Sequence, residues 1–379
     1  MRGHIRKRGA GYQIIVDVGR DPITGKRKQK AVGGFKTKKE AEKALAEMIA
    51  NVEKGEYFEA EEITLKEYLD KWIKAYCETN FAPKTLKSYK EMIEWYILPK
   101  LGHIEIQKIK PLHIQEFYKI CMDEYNLSGT STRYIHTILH TAFKHAVKWQ
   151  LLLNNPTDAV EPPRRNKNQF SVLTSDEVEI LLNALKGSSL YYPTLIAIST
   201  GMRRGEILGL RWSDIDLKNG YIYIENQLQR INKNFELVPT KTAKSKRKIA
   251  IPQLLIKELK ELKKLQLENK LALGSAYNDL NFVCCKGNGE PYDPDYISRH
   301  FMRVMERISK RYNIPDVRFH DLRHTHATLL LKEGTHPKIV SERLGHSQIG
   351  ITLDTYSHVL PEMQKEAADK IDILLLKKV

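Results

Sequence analysis

The sequence predicts a multidomain, mainly α protein with small β-sheets: an N-terminal β-sheet plus helix, a helical bundle, and a mixed α+β C-terminal domain. Three observations carry that reading. At 379 residues the chain is long enough for two or three cores. Strand-like, β-branched runs are confined to residues 1–60 and to the stretch from Tyr221 to Ile251, whereas apolar residues elsewhere recur at helical spacing. A Pro-Pro-basic stretch from Glu161 to Asn168 breaks the helical pattern where a tether between domains would lie.

Residues 1–60 open with a basic run, Arg2 to Arg8. Tyr12–Val18 and Lys26–Val32 read as strands on either side of the turn signal Asp21-Pro-Ile-Thr-Gly25. A helix follows over Lys38–Val52, with Ala41, Ala44, Leu45 and Met48 at helical spacing. A small basic sheet backed by one helix suits a nucleic-acid groove; a solvated hairpin is the plainer alternative.

Residues 61–160 read as four or five helices. Leu65, Tyr68, Leu69, Trp72, Ile73 and Tyr76 form one face, and Pro83 fits a first helical turn ahead of Lys84–Ile97. Two more helices span about Lys110–Glu124 and Gly129–Gln150. Such a module serves as a DNA clamp or only as a spacer. A linker over 161–172 separates it from the last segment, 173–379. There Thr174-Ser-Asp-Glu177 has capping-box spacing. Tyr221–Ile224, Phe235–Val238 and Arg247–Ile251 read as one short antiparallel sheet inside a mostly helical domain.

Charge narrows the partner. Sixty-two Lys and Arg against 46 Asp and Glu give +16, with a pI near 9.4. Residues 1–40 hold twelve of the bases and three acids. Such an excess favours a polyanion, since each neutralised phosphate releases a counterion. The opening basic run lacks the apolar stretch of a signal peptide, and the greasy pieces Leu195–Ile198 and Ile373–Leu376 are far shorter than a membrane span. Four scattered cysteines fit neither a disulfide framework nor a zinc spacing, so a reduced, cytoplasmic protein is expected.

Five motifs in the last segment carry chemistry. In Thr200-Gly-Met-Arg203-Arg-Gly-Glu206, an apolar helix ends at Gly201 and Glu206 lies three residues beyond Arg203, near enough to hold its guanidinium. Alone, this pair also fits a surface ion pair. Lys241, in the basic run Pro239–Arg247, sits at a hairpin tip from which it reaches a phosphate; a solvated loop is the common meaning of such a run. In Phe319-His320-Asp-Leu-Arg323-His324, His320 and Arg323 share a helical face. The same stretch puts two histidines at a metal-ligand spacing, but Asp321 stands where the zinc-hydrolase motif has Glu, and no third ligand is evident. Leu344-Gly-His346 places a helix-ending glycine before His346. Last comes Tyr356, ten residues on, in Thr352-Leu-Asp-Thr-Tyr-Ser-His358. A lone tyrosine there is commonly a core aromatic.

In this order and spacing the five motifs resemble the catalytic domain of tyrosine recombinases, the phage integrase family. The resemblance covers residues 170–365. The helical module resembles that family's core-binding, SAM-like domain, and residues 1–60 resemble an arm-type DNA-binding domain. It implies that Arg203, Lys241, His320, Arg323, His346 and Tyr356 are catalytic, with Tyr356 the nucleophile and Glu206 supporting the first arginine. It further implies a site-specific recombinase for a mobile element, acting through a 3′-phosphotyrosine link. The expected partners are double-stranded DNA with core-type and arm-type attachment sites, and a homotetramer on that DNA. Accessory DNA-bending and directionality proteins are further partners, in the cytoplasm and nucleoid of a bacterial host. Several cations around one phosphate do what metals do elsewhere, and ester exchange conserves bond energy, so neither a metal nor a nucleotide cofactor is expected. The apolar tail, Ile371, Ile373, Leu374, Leu375 and Leu376, is suited to dock on a neighbouring subunit or on its own domain. Rival readings are a type IB topoisomerase-like enzyme and a non-catalytic DNA-binding regulator.

Overall fold

The computed structural model describes residues 3–20, 25–53, 62–164, 170–231, 234–240, 246–356 and, in the tail, 368, 369, 371–373 and 375. The chain divides into two compact units, Met1–Lys167 and Asn168–Val379.

The first unit begins with an antiparallel sheet, β1 (Gly3–Arg8), β2 (Gly11–Arg20) and β3 (Arg27–Phe35), in the order β1-β2-β3, followed by α1 (Lys38–Glu53). Ile14 and Val16 of β2 alternate inward and are buried, as is Ala41 of α1. The basic run of the sequence is thus a third strand, β1, paired from Gly3↔Val16 to Arg8↔Gly11. Its charge hid it, because only Gly3 and Ile5 are even partly covered. Of the expected turn Asp21–Gly25, all but Gly25 lies outside the described residues.

The helical module comprises α2 (Leu65–Trp72), α3 (Glu78–Asn80), α4 (Pro83–Met92), α5 (Leu98–Leu101), α6 (Pro111–Asp123) and α7 (Gly129–Lys148). Two π turns, Ile73–Cys77 and Ile93–Ile97, join α2 to α3 and α4 to α5. Thr64 and Glu67 cap α2 reciprocally, and Pro83 opens α4, where its missing N–H costs nothing. Of the predicted face, Leu65, Tyr68, Leu69, Trp72 and Ile73 are buried and Tyr76 is partly buried, in one core with Phe117, Ile135 and Phe143 from α6 and α7. Each such side chain contributes roughly 1.5–3 kcal/mol. Of the linker, 165–169 lies outside the described residues.

The second unit contains α8 (Ser175–Leu185), α9 (Tyr191–Thr200), α10 (Arg204–Leu208), β4 (Ile215–Asp216), β5 (Tyr221–Ile224), β6 (Asn226–Ile231), β7 (Asn234–Pro239) and β8 (Arg247–Ala250). Then come α11 (Gln253–Leu273), α12 (Pro294–Tyr312), α13 (Asp321–Lys332), α14 (Pro337–Leu344) and α15 (Ile349–Tyr356). The capping box at Thr174 forms as read. The single expected sheet is two: β4-β5-β8, with Ile222 opposite Ile249, and a separate hairpin β6-β7, with Leu228 opposite Leu237. The strand β6 escaped notice because Asn226, Gln227, Gln229 and Arg230 are polar and only Leu228 is fully buried. Among the described residues no helix is long and apolar enough to cross a membrane. Of the tail, Ile371, Ile373 and Leu375 are exposed, while Leu374 and Leu376 lie outside the described set.

Candidate active site

The site forms where the ends of α9, α13 and α14 meet. The helix α9 stops at Gly201, whose φ of 67° reverses the chain; a Cβ there would stand 2.6 Å from His326 Cδ2 and 2.7 Å from Leu344 Cδ2. Arg203 follows in extended conformation as the cap of α10. Glu206, in the first turn of α10 and 2% exposed, accepts from the Arg203 backbone N–H and from its Nη1, both at 2.9 Å. Its other donor comes from β8: Arg247 Nη2 reaches Oε2 at 2.8 Å and Nη1 reaches Oε1 at 3.2 Å. Burial alone would raise the Glu206 pKa; hydrogen bonds and charge from Arg247 and Arg203 outweigh it and hold the carboxyl below its ordinary range. The expected Arg203–Glu206 pair therefore forms, and it is a partly buried clamp between two arginines.

Arg323, on α13, is 4% exposed and anchored by carbonyl oxygens at two helix C-termini: Nη1 donates to Gly201 O and Nη2 to Leu344 O, each at 2.7 Å. Arg203 Nη2 donates to the next carbonyl, Gly345 O, at 3.3 Å. The two guanidinium groups are thus brought together by one turn, where Gly345 (φ 66°) ends α14. Burial, Arg203 and Arg247 all disfavour the charged form of Arg323, with Glu206 opposing.

His320 caps α13 and His346 follows Gly345, its Nδ1 2.8 Å from Thr352 Oγ1. Burial and the nearby arginines lower both, His346 to about 4, so both rings are neutral at pH 7. Tyr356 ends α15 and is 1% exposed; burial pushes its phenol up to about 12, with Arg323 opposing. Its Oη lies 2.8 Å from Nδ1 of His324. Arg203, Glu206, His320, Arg323, His324 and His346 line one pocket of about 560 Å³. Tyr356 sits behind that wall, while Thr355 and Ile351 of the same helix are part of it.

Lys241 lies outside the described residues, 241–245 being among those omitted; Thr240, just before it, lines the pocket. The metal alternative finds other uses for its residues. Asp321 accepts three hydrogen bonds from Arg318, each 2.9 Å, and His324 is bonded to Tyr356. Among the described residues no group of three or more His, Cys, Asp or Glu gathers to hold a metal. Sequence reasoning missed Arg247 and the His324–Tyr356 bond. The first was signalled by alternation, since Arg247 shares a strand face with buried Ile249.

A pocket lined by two arginines, with its one carboxylate already paired, suits an anion such as a phosphate ester. The comparisons narrow the class. The phage integrase family model matches residues 171–363, an arm DNA-binding domain matches 4–52, and the N-terminal SAM-like domain of phage integrases matches 64–122. A tyrosine recombinase XerC-like protein of Caldanaerobacter subterraneus is 31% identical, over 96% of each chain. The ICEBs1 integrase of Bacillus subtilis is 30% identical over 96% of this chain and 97% of its own. A lambda integrase dimer bound to a COC′ core site shares the fold at TM-score 0.58 and 25% identity, covering 93% of each chain. The Tn1549 transposon integrase with circular intermediate DNA does so at 0.69 and 22%, covering 82% of this chain and 99% of that one. The chain belongs to the phage integrase family. It is a tyrosine recombinase, a DNA-binding enzyme that carries out the site-specific recombination of mobile elements.

Proposed function

We propose that Tyr356 attacks the scissile phosphate of a core-type site. The Tyr356 Oη–P bond forms as the P–O5′ bond breaks, leaving a 3′-phosphotyrosine and a free 5′-hydroxyl that later attacks a partner strand. Arg203 and Arg323 offer planar forks of donors to the non-bridging oxygens. Fixed donors of this kind are worth roughly 3–4 kcal/mol each in the transition state. Glu206 fixes Arg203; His320 and His346 bond the phosphate from the pocket wall; Lys241 protonates the departing 5′ oxygen. The observation that carries this reading is the convergence of Arg203, His320, Arg323 and His346 on one pocket with Tyr356 directly behind it.

The domains divide the labour as 1–60 for arm sites, 61–160 for the core site, 161–172 as linker and 173–379 for chemistry and the tail. Paired strand exchange calls for a homotetramer on DNA; the lambda integrase tetramer bound to a Holliday junction supports it by likeness of fold. The apolar tail residues Ile371, Ile373 and Leu375 are exposed and suited to dock on a neighbouring subunit. DNA-bending and directionality proteins act alongside it, in the cytoplasm of a bacterial host at the nucleoid. The test is Tyr356→Phe on a nicked suicide duplex carrying the element's own ends. Site binding is retained and covalent linkage is lost; undiminished covalent capture refutes the assignment.

A further inference from the structure

A tyrosine that attacks phosphorus loses a proton in the same event, and that proton needs an acceptor already in place. His320 and His346 are the histidines the motifs supply. Among the described residues neither is hydrogen-bonded to the phenol, and the Nδ1 of His346 is engaged by Thr352. The side chain that does meet the phenol is His324, whose Nδ1 lies 2.8 Å from Tyr356 Oη. We propose that His324 is the general base that takes the Tyr356 proton, a role that rests on Tyr356 being the nucleophile.

The geometry is that of an activated nucleophile: reacting hydroxyl, base within hydrogen-bond reach, and a third group holding the base. Here the third group is Phe170, from the stretch read as linker. Its ring lies parallel to the imidazole, 4.1 Å between centroids at 14°, and meets Tyr356 edge-on at 6.1 Å. His320 packs edge-on against His324, at 5.4 Å and 88°. The imidazole is therefore fixed in plane and direction, with one edge on the phenol and another side facing the pocket it lines. Thr355 and Ile351, on the same helix as Tyr356, line that pocket as well.

Burial, with His320 and Arg323 adding and Asp321 opposing, lowers His324 to about 4, so the ring is neutral at pH 7. The proposal takes the tautomer with its proton on Nε2, in which Nδ1 accepts from the phenol. Burial holds the resting imidazole a poor base. A phosphodiester entering the pocket reverses part of this, since its negative charge offsets the cations that depress the imidazole, and the charge building at phosphorus does so further. The step balances: the proton passes from Oη to Nδ1, the Oη–P bond forms, the P–O5′ bond breaks, and O5′ takes a proton from Lys241. Religation returns the His324 proton to the tyrosine.

The test is single-turnover covalent capture by the full chain on the nicked suicide duplex, with His324→Asn, which keeps a polar group near Nδ1 but no basicity. Capture should slow by about 100-fold or more, the lower bound typical of a lost general base, with DNA binding unchanged. A fluorinated tyrosine at position 356, ionised near neutral pH, should restore capture in that background, because an already ionised nucleophile needs no base. His324→Gln, with the acceptor placed differently, should behave the same way. Capture at or above the native rate in both variants overturns the proposal, as does a slow variant that fluorotyrosine fails to rescue, which would reduce His324 to packing. Failure of the nucleophile assignment is read separately, as covalent capture by Tyr356→Phe.

Discussion

Glu206 shows how much one buried carboxylate organises. It takes hydrogen bonds from the backbone and guanidinium of Arg203 and from both terminal nitrogens of Arg247, and it is the acid that balances them. Removing its charge takes from Arg247, 7% exposed at its side chain, a carboxylate it meets at 2.8 Å. Glu206→Gln should therefore cost about 3 kcal/mol at pH 7, in the range for breaking a buried pair. The pH sign follows from the depressed folded-state pKa. Its contribution is present above the unfolded carboxyl value of about 4.3 and is lost as pH falls through the lower folded value. Urea unfolding of the two proteins should show a gap that is full at pH 7 and narrows in strong acid. A gap independent of pH would refute the clamp. The Arg203–Glu206 half of this arrangement was legible from three-residue spacing. Arg247 was missed, because alternation with Ile249 marks it only as facing inward and does not say that β8 presses it against α10.

At the scale of elements, the site depends on how α9 ends. Gly201 turns the chain left-handed, lets His326 and Leu344 close in, and presents the carbonyl that anchors Arg323. Gly201→Ala should destabilise the protein by more than about 1 kcal/mol, the left-handed backbone alone accounting for that much, with the side-chain conflict added. Urea denaturation measures it, and unchanged stability would show that the turn tolerates a Cβ. The sequence marked this helix end, and likewise Gly345 at the end of α14, since glycine after an apolar helical run is a local signal. The strands β1 and β6 were not legible for the opposite reason. Each is polar on most positions, and what makes it a strand is pairing with its hairpin neighbour, β2 or β7, which its own residue pattern does not signal.

For the whole molecule, charge and periodicity together gave the order of parts: a basic sheet with a helix, a helical module, and a larger mixed unit holding the chemistry. Separate cores in the arm sheet, the helical module and the second unit explain why each reads as an independent pattern in the chain. The proposed catalytic set was legible only jointly. Arg203, His320, Arg323, His346 and Tyr356 are spread over more than 150 residues, and no spacing rule predicts that three helix ends bring the first four to one pocket with Tyr356 behind it. Lys241 falls outside the described residues, so its part rests on the motif alone. The most direct measurement is mass-spectrometric mapping of the DNA-linked peptide trapped on a nicked suicide duplex. A 3′-phosphoryl nucleotide attached to Tyr356 is the expected result; attachment to any other residue, or through a 5′ phosphate, would contradict the account.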